Sequence, residues 1–321
     1  MPRARKHIVC ISATPYYHVY SRCVRRAFLC GVDQHSGKSY EHRRGWLEDR
    51  VQVLSSVFSV ELCAYAIMSN HYHLVVKLNP NLPEEWSDDE VLKRWTALHR
   101  GPVLVQRFRA GQDLSAAEHE AVRSMAAVYR ARLASLSWFM KCLNEPIARR
   151  ANAEDGCSGH FWEARFHSQP LCSEKALLTA MAYVDLNPVR AGIADTPEES
   201  VYTSLRARLR SRYNRTVQRA VARLIRRKEL NHFDVPVRAL TPFAERATTS
   251  TDMSLAMTES EYLKLVDTTG RIIVRGKRGR IDPAFAPILE RLGLTTDDWT
   301  DGVTAFSQHY RNGDLRPTKT A

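Results

Sequence analysis

The chain is short of acidic side chains. Its 321 residues hold 35 Asp and Glu against 47 Lys and Arg, a formal net charge of +12. Such a surplus disfavours an enzyme of acidic metabolites and favours a polyanionic partner, most commonly nucleic acid, with a membrane surface as the competitor. Long apolar runs are also missing. No stretch approaches the roughly 18 apolar residues of a spanning helix, and Met1-Pro2-Arg3-Ala4-Arg5-Lys6-His7 lacks the apolar core of a secretory signal, so a cytoplasmic protein is expected. Cysteine is sparse: seven residues, at positions 10, 23, 30, 63, 142, 157 and 172, odd in number and without a C-x-x-C pair. That excludes a disulfide framework and a zinc ribbon. No internal repeat or low-complexity tract is evident. What is present is 44% apolar residues, enough for a core, in a length that suits one large or two modest domains.

Read in order, residues 17–22 form a β-branched and aromatic strand, and residues 40–58 carry apolar side chains at helical spacing. A strand over 60–68 turns at Ser69-Asn70 into a second strand through His71-Tyr72-His73-Leu74-Val75-Val76. Residues 79–114 read as an acidic, proline-containing insertion with some helix at its centre. The spacing from 116 to 144 predicts one long helix that Pro146 should end. A last strand falls within 161–171, and Ser173 caps a helix that runs to Leu186 and closes at Pro188. The order strand, helix, strand, strand, helix, strand predicts an α+β fold of the ferredoxin-like split β-α-β type: an antiparallel sheet with helices on one face.

On a strand, residues i and i+2 share a face. His71 and His73 then point one way and Tyr72 and Leu74 the other, so the two imidazoles form either half of a divalent-cation site or a pair of core or surface histidines. Tyr183 and Asn187 lie four apart on the capped helix, one turn above each other. Spacing alone favours reading Tyr183 as a core or half-buried aromatic. Cys157, His160 and Cys172 match no standard metal spacing.

Three blocks in order add specificity: Met68-Ser69-Asn70-His71-Tyr72-His73-Leu74, Gly159-His160-Phe161-Trp162-Glu163-Ala164-Arg165-Phe166, and Tyr183-Val184-Asp185-Leu186-Asn187-Pro188-Val189-Arg190-Ala191-Gly192. Together with Tyr17-His18-Val19 and Arg22 they resemble the single-tyrosine HUH transposases of short insertion sequences, and especially the REP-associated tyrosine transposases. The resemblance spans roughly residues 13–200 and leaves out the insertion. It implies that His71, His73 and Asn187 bind Mg²⁺ or Mn²⁺ and that Tyr183 is the nucleophile of a single-stranded DNA endonuclease and strand transferase. Such an enzyme forms a 5′-phosphotyrosine at hairpin or repeat DNA. Arg22, Arg165 and Arg190 sit beside these blocks as candidate phosphate contacts, with surface or salt-bridged arginines as the alternative. The setting this implies is cytoplasmic and nucleoid-associated, and a homodimer is allowed.

The expected division is a catalytic domain over 1–196 and a basic, mainly helical accessory region over 197–321, which either binds DNA or packs as a cap on the first domain. Residues 205–230 hold ten basic side chains around Val217, Val221, Leu224 and Ile225, and Arg215, Arg219, Arg223 and Arg226 are expected to contact phosphate. A polar linker is expected over 236–257, a basic strand and turn over 270–280, and two short helices over 283–292 and 296–310. The competing reading of the whole chain is a non-catalytic DNA-binding regulator that keeps the transposase fold.

Overall fold

The computed structural model describes residues 12–24, 29–33, 37–209, 213–244, 255 and 257–272. The two expected helices beyond 282, most of the expected basic turn, and Arg210 and Arg212 lie outside the described residues.

Four strands, β1 (Tyr16–Arg22), β2 (Val60–Ile67), β3 (His71–Leu78) and β4 (His167–Pro170), form one sheet in the order β2-β3-β1-β4. All three pairings are antiparallel. Helix α1 (His42–Val57) joins β1 to β2. Between β3 and β4 come a 3₁₀ turn (Leu82–Glu85), α2 (Asp88–Leu98), α3 (Val103–Arg109), α4 (Ala116–Leu133) and α5 (Leu136–Glu154). This is the expected split β-α-β sheet. Strand alternation sorts the side chains into two layers. Tyr72, Leu74 and Val76 of β3 join Leu54, Phe58, Phe139 and Leu143 beneath α1 and α5. Val75 instead joins Cys63, Ala64, Met181 and Val184 on the opposite face. A register shift between Leu62 and Ala64 turns Cys63 to that second face. The helices of the two split units therefore share one face, and the other is covered by α6 (Glu174–Asp185) and α10 (Glu259–Arg271).

The single helix expected over 116–144 is two. It breaks at Ala134-Ser135, and α5 continues through Pro146 to Glu154. Proline removes the hydrogen bond to the carbonyl four residues back, which is that of Cys142. The buried Arg50 guanidinium donates to this carbonyl instead, so the helix loses one backbone donor without leaving a buried acceptor unpaired.

After β4, Ser173 caps α6 as expected, accepting from the Ala176 N–H at 3.1 Å. The helix stops one residue earlier than expected, and α7 (Asn187–Arg190) restarts after Leu186 with Pro188 in its first turn. Tyr183 and Asn187 thus lie on two consecutive helical segments.

Described residues beyond 196 add to both layers. Helix α8 (Ser204–Leu209) meets β2, and α9 (Tyr213–Arg226) packs on α1 through Val217, Ala220 and Leu224. Burying a valine and a leucine is worth about 1.5–3 kcal/mol each, so this stripe is a packing face. The expected linker is partly interior: Leu240, Ala244, Leu255 and Met257 are buried, and the Thr241 N–H donates to Leu62 O at 3.0 Å. Gly270 and Arg271, expected to open a strand, end α10, where a Cβ on Gly270 would come within 2.9 Å of Leu186 Cδ2.

Asp185, fully buried at the end of α6, ties these helices together. Its carboxylate accepts from Ser204 Oγ at 2.6 Å, the Leu205 N–H at 2.9 Å and Tyr262 Oη at 2.6 Å. Burial pushes this carboxyl up, and those three donors oppose the shift. Asp185→Ala strands all three donors in the interior and is expected to cost about 3 kcal/mol. That would be read as a lower urea midpoint at unchanged slope. A loss below about 1 kcal/mol would mean that apolar contacts alone hold α8 and α10.

Candidate active site

His71 and His73 share parity with Val75 and therefore lie on the α6 face of β3. Their ring centroids are 4.8 Å apart. Register brings β1 alongside, with Tyr20 opposite His73, Arg22 opposite His71 and His18 opposite Val75. His18 Nε2 and His73 Nδ1 share a hydrogen bond of 2.9 Å between two buried rings. Tyr183 comes down from α6 and meets both edge-on, at 5.7 Å from His73 and 6.4 Å from His18 between centroids. The Arg190 guanidinium lies 5.6 Å from the centre of the Tyr183 ring.

Burial sets the charge state here. It holds His18 down at about 3, with His71 adding to the effect, and His71 at about 4, with Arg22 adding. It holds His73 well below the ordinary value, with His71, His18 and Arg22 assisting. All three are neutral at pH 7. His71 Nδ1 bonds the Asn70 side-chain oxygen, which only accepts, so the proton sits on Nδ1 and Nε2 keeps its lone pair. Burial lowers the Arg190 pKa, and Tyr183 opposes that shift.

A pH dependence of stability follows. Histidines of the unfolded chain take up protons below about pH 6.5, whereas these stay neutral when folded until the pH nears 4. The unfolded state then binds more protons, so stability rises with pH from about 4 to about 6.5 and is lost as the pH falls through that window. The slope is at most about 1.4 kcal/mol per unit for each ring, and less for the partly exposed His71. Metal-free urea midpoints should therefore fall steadily from pH 7 to pH 4.5. A flat profile would mean that these rings are already protonated in the fold.

The sequence-derived residues divide into two places. His71, His73, Tyr183, Arg190 and Arg22 converge on one face of the sheet. Asn187 follows Tyr183 by one turn, and its side-chain nitrogen is buried with no hydrogen-bond partner among the described residues. Arg165 is exposed in the segment leading into β4. Arg215, Arg219, Arg223 and Arg226 are elsewhere, on α9 over α1, in the other layer. Arg223 is held by both carboxylate oxygens of Asp49, with Nε at 2.7 Å, which makes it a structural ion pair.

Sequence spacing missed His18, Tyr20 and His167. Tyr20 stacks on His167 at 4.6 Å and on His18 at 5.9 Å, extending an aromatic row from the histidine pair toward β4. The signal for His18 was the expected order itself, because a split β-α-β sheet places β1 beside β3.

Among the described residues, no three His, Cys, Asp or Glu side chains gather for a metal ion. Two neutral imidazoles nevertheless suit a divalent cation, Mn²⁺ better than Mg²⁺, and an amide oxygen such as that of Asn187 would be the third donor. No helix among the described residues is long and apolar enough to cross a membrane.

No family model matches this sequence, and no curated protein matches it. Among solved structures, a REP-associated tyrosine transposase bound to a REP hairpin aligns with 79% of this chain and 97% of its own, at 11% sequence identity and a TM-score of 0.32.

Proposed function

We propose that this protein is a metal-dependent endonuclease and strand transferase for single-stranded or hairpin DNA, with Tyr183 as nucleophile. The observation that carries this reading is the placement of the Tyr183 ring 5.7 Å from His73 and beneath Arg190, beside two imidazoles kept neutral by burial. A phosphodiester resists attack because its anionic oxygens repel a nucleophile and the leaving 3′-oxygen must carry charge. Tyr183 gives up its phenolic proton to water, its oxygen attacks phosphorus, and the P–O3′ bond breaks. The 3′-oxygen leaves and takes up a proton, and the 5′-phosphate stays on Tyr183. The bond energy is kept for rejoining, so the reaction is a reversible transesterification. Arg190 and Arg22 supply positive charge against the charge gathering on the phosphate. His71, His73 and Asn187 would hold Mg²⁺ or Mn²⁺, which when bound polarises the phosphate and stabilises the leaving oxygen. His18 fixes the ring of His73 from behind, as partners of ligating histidines do.

The second reading, a non-catalytic DNA-binding regulator, draws on the burial of Tyr183, which is only 6% exposed. One assay separates the two: incubation with an end-labelled single-stranded hairpin and Mn²⁺, followed by a denaturing gel. A covalent adduct supports the enzyme, and binding without adduct supports the regulator.

A further inference from the structure

A cleft of about 500 Å³ opens between α1, α8 and α9, in the layer where α1 packs and therefore across the sheet from Tyr183. Four arginines line it, and three of them, Arg206, Arg219 and Arg227, have no carboxylate partner among the described residues, although Arg206 Nη1 donates to the Glu198 carbonyl at 2.6 Å. The side-chain Nε of Arg206 and one terminal nitrogen of Arg227 are buried with no hydrogen-bond partner there. So is the hydroxyl of Tyr213, which lines the same cleft and which burial keeps protonated. Leaving so many donors unpaired in one place is costly unless an acceptor-rich group enters. The fourth arginine, Arg223, is paired with Asp49, and the second acid of the cleft, Glu48, accepts from Tyr65 Oη at 2.8 Å. Tyr202 borders the cleft with φ +63°, a conformation that a bulky residue adopts only when its surroundings impose it, as at ligand clamps. Its carbonyl is held by the Ile67 N–H of the β2 edge.

We propose that this cleft binds one nucleotide unit, its phosphate on Arg206, Arg219, Arg227 and the Tyr213 hydroxyl and its base against the Tyr202 ring. The size suits it, since small-ligand pockets run from about 300 to 1,000 Å³. The unpaired donors of Arg206, Arg227 and Tyr213 select phosphate, with Gln52 Oε1 left as an acceptor beside them, and a neighbouring aromatic face selects a base over a bare anion. This site does not depend on the role of Tyr183.

The test uses the full chain and three probes: inorganic phosphate, thymidine 5′-monophosphate, and a fluorescein-labelled twelve-residue oligothymidylate. The monophosphate should raise the melting temperature of the parent and compete with the oligonucleotide in fluorescence anisotropy, and inorganic phosphate should do so at least tenfold more weakly. Arg219→Gln with Arg227→Gln should weaken oligonucleotide binding by about tenfold or more, the loss expected for two charge-assisted contacts. Tyr213→Phe, which keeps the ring and removes only the hydroxyl, should weaken the monophosphate severalfold while leaving the ligand-free melt near the parent's. That variant keeps the test decisive if the double substitution fails to fold. Equal competition by inorganic phosphate would overturn the base contact. Unchanged affinity in both variants would overturn the site. A monophosphate that raises the melting temperature without displacing the oligonucleotide would overturn the placement of a DNA strand in this cleft.

Discussion

Tyr183→Phe is expected to abolish the covalent adduct and to lower cleavage of a single-stranded hairpin by more than about 10⁴-fold, the scale of losing a nucleophile. Binding should stay within about twofold, because the ring stays between His73 and Arg190 and only the attacking oxygen goes. Stability should shift by no more than about 1 kcal/mol, since the buried shape is unchanged. A gel for the adduct and anisotropy for binding read the two halves separately. If adduct persists, Tyr20 is the next candidate, 6.0 Å from His73 on the same face. Tyr129 is no candidate by its position: it stacks on Trp95 at 4.8 Å in the opposite layer.

The sheet was legible because its period is local. His-Tyr-His-Leu-Val-Val states which side chains share a face, and the element order states which strands are neighbours. The histidine pair and Tyr183 stand out because each sits in a short local block whose resemblance to a known family, rather than spacing, suggests a role. His18 and Tyr20 are harder to place, because the element order puts β1 beside β3 but only the register, a relation between residues 55 apart in sequence, sets them against the histidine pair.

Pro146 misled for a different reason. Its helix-breaking tendency is local, whereas the compensation, the Arg50 guanidinium on the Cys142 carbonyl, comes from another helix. Similarly, the basic run after 205 reads as a free charged face because the acid that pairs Arg223, Asp49, lies on α1. Charge counted along a chain overstates free charge when partners come from distant elements. Among the described residues of that run, Arg206, Arg219 and Arg227 have no acid partner and converge on one cleft, whereas Arg208, Arg215 and Arg226, which also lack one, lie outside it.

His71→Ala with His73→Ala should eliminate both adduct formation and its dependence on added metal, but the two substitutions contribute differently. His73 is fully buried and bonded to His18. Its removal leaves a cavity and takes away the His18 partner, so His73→Ala should lower stability by about 2–3 kcal/mol even without metal. His71 is partly exposed and its bond is to the adjacent Asn70, so His71→Ala should cost less than about 1 kcal/mol. The single His71→Ala variant therefore carries the test of metal binding. One imidazole and one amide hold Mg²⁺ or Mn²⁺ poorly against water. Electron paramagnetic resonance of free Mn²⁺ should accordingly show the parent depleting the hexaaqua signal and His71→Ala leaving it at least tenfold less depleted. The metal-free melt should stay near the parent's. Unchanged Mn²⁺ binding with unchanged cleavage would return both histidines to a core-packing role, whereas lost cleavage with retained Mn²⁺ binding would place the ion elsewhere and leave His71 as a contact to the DNA.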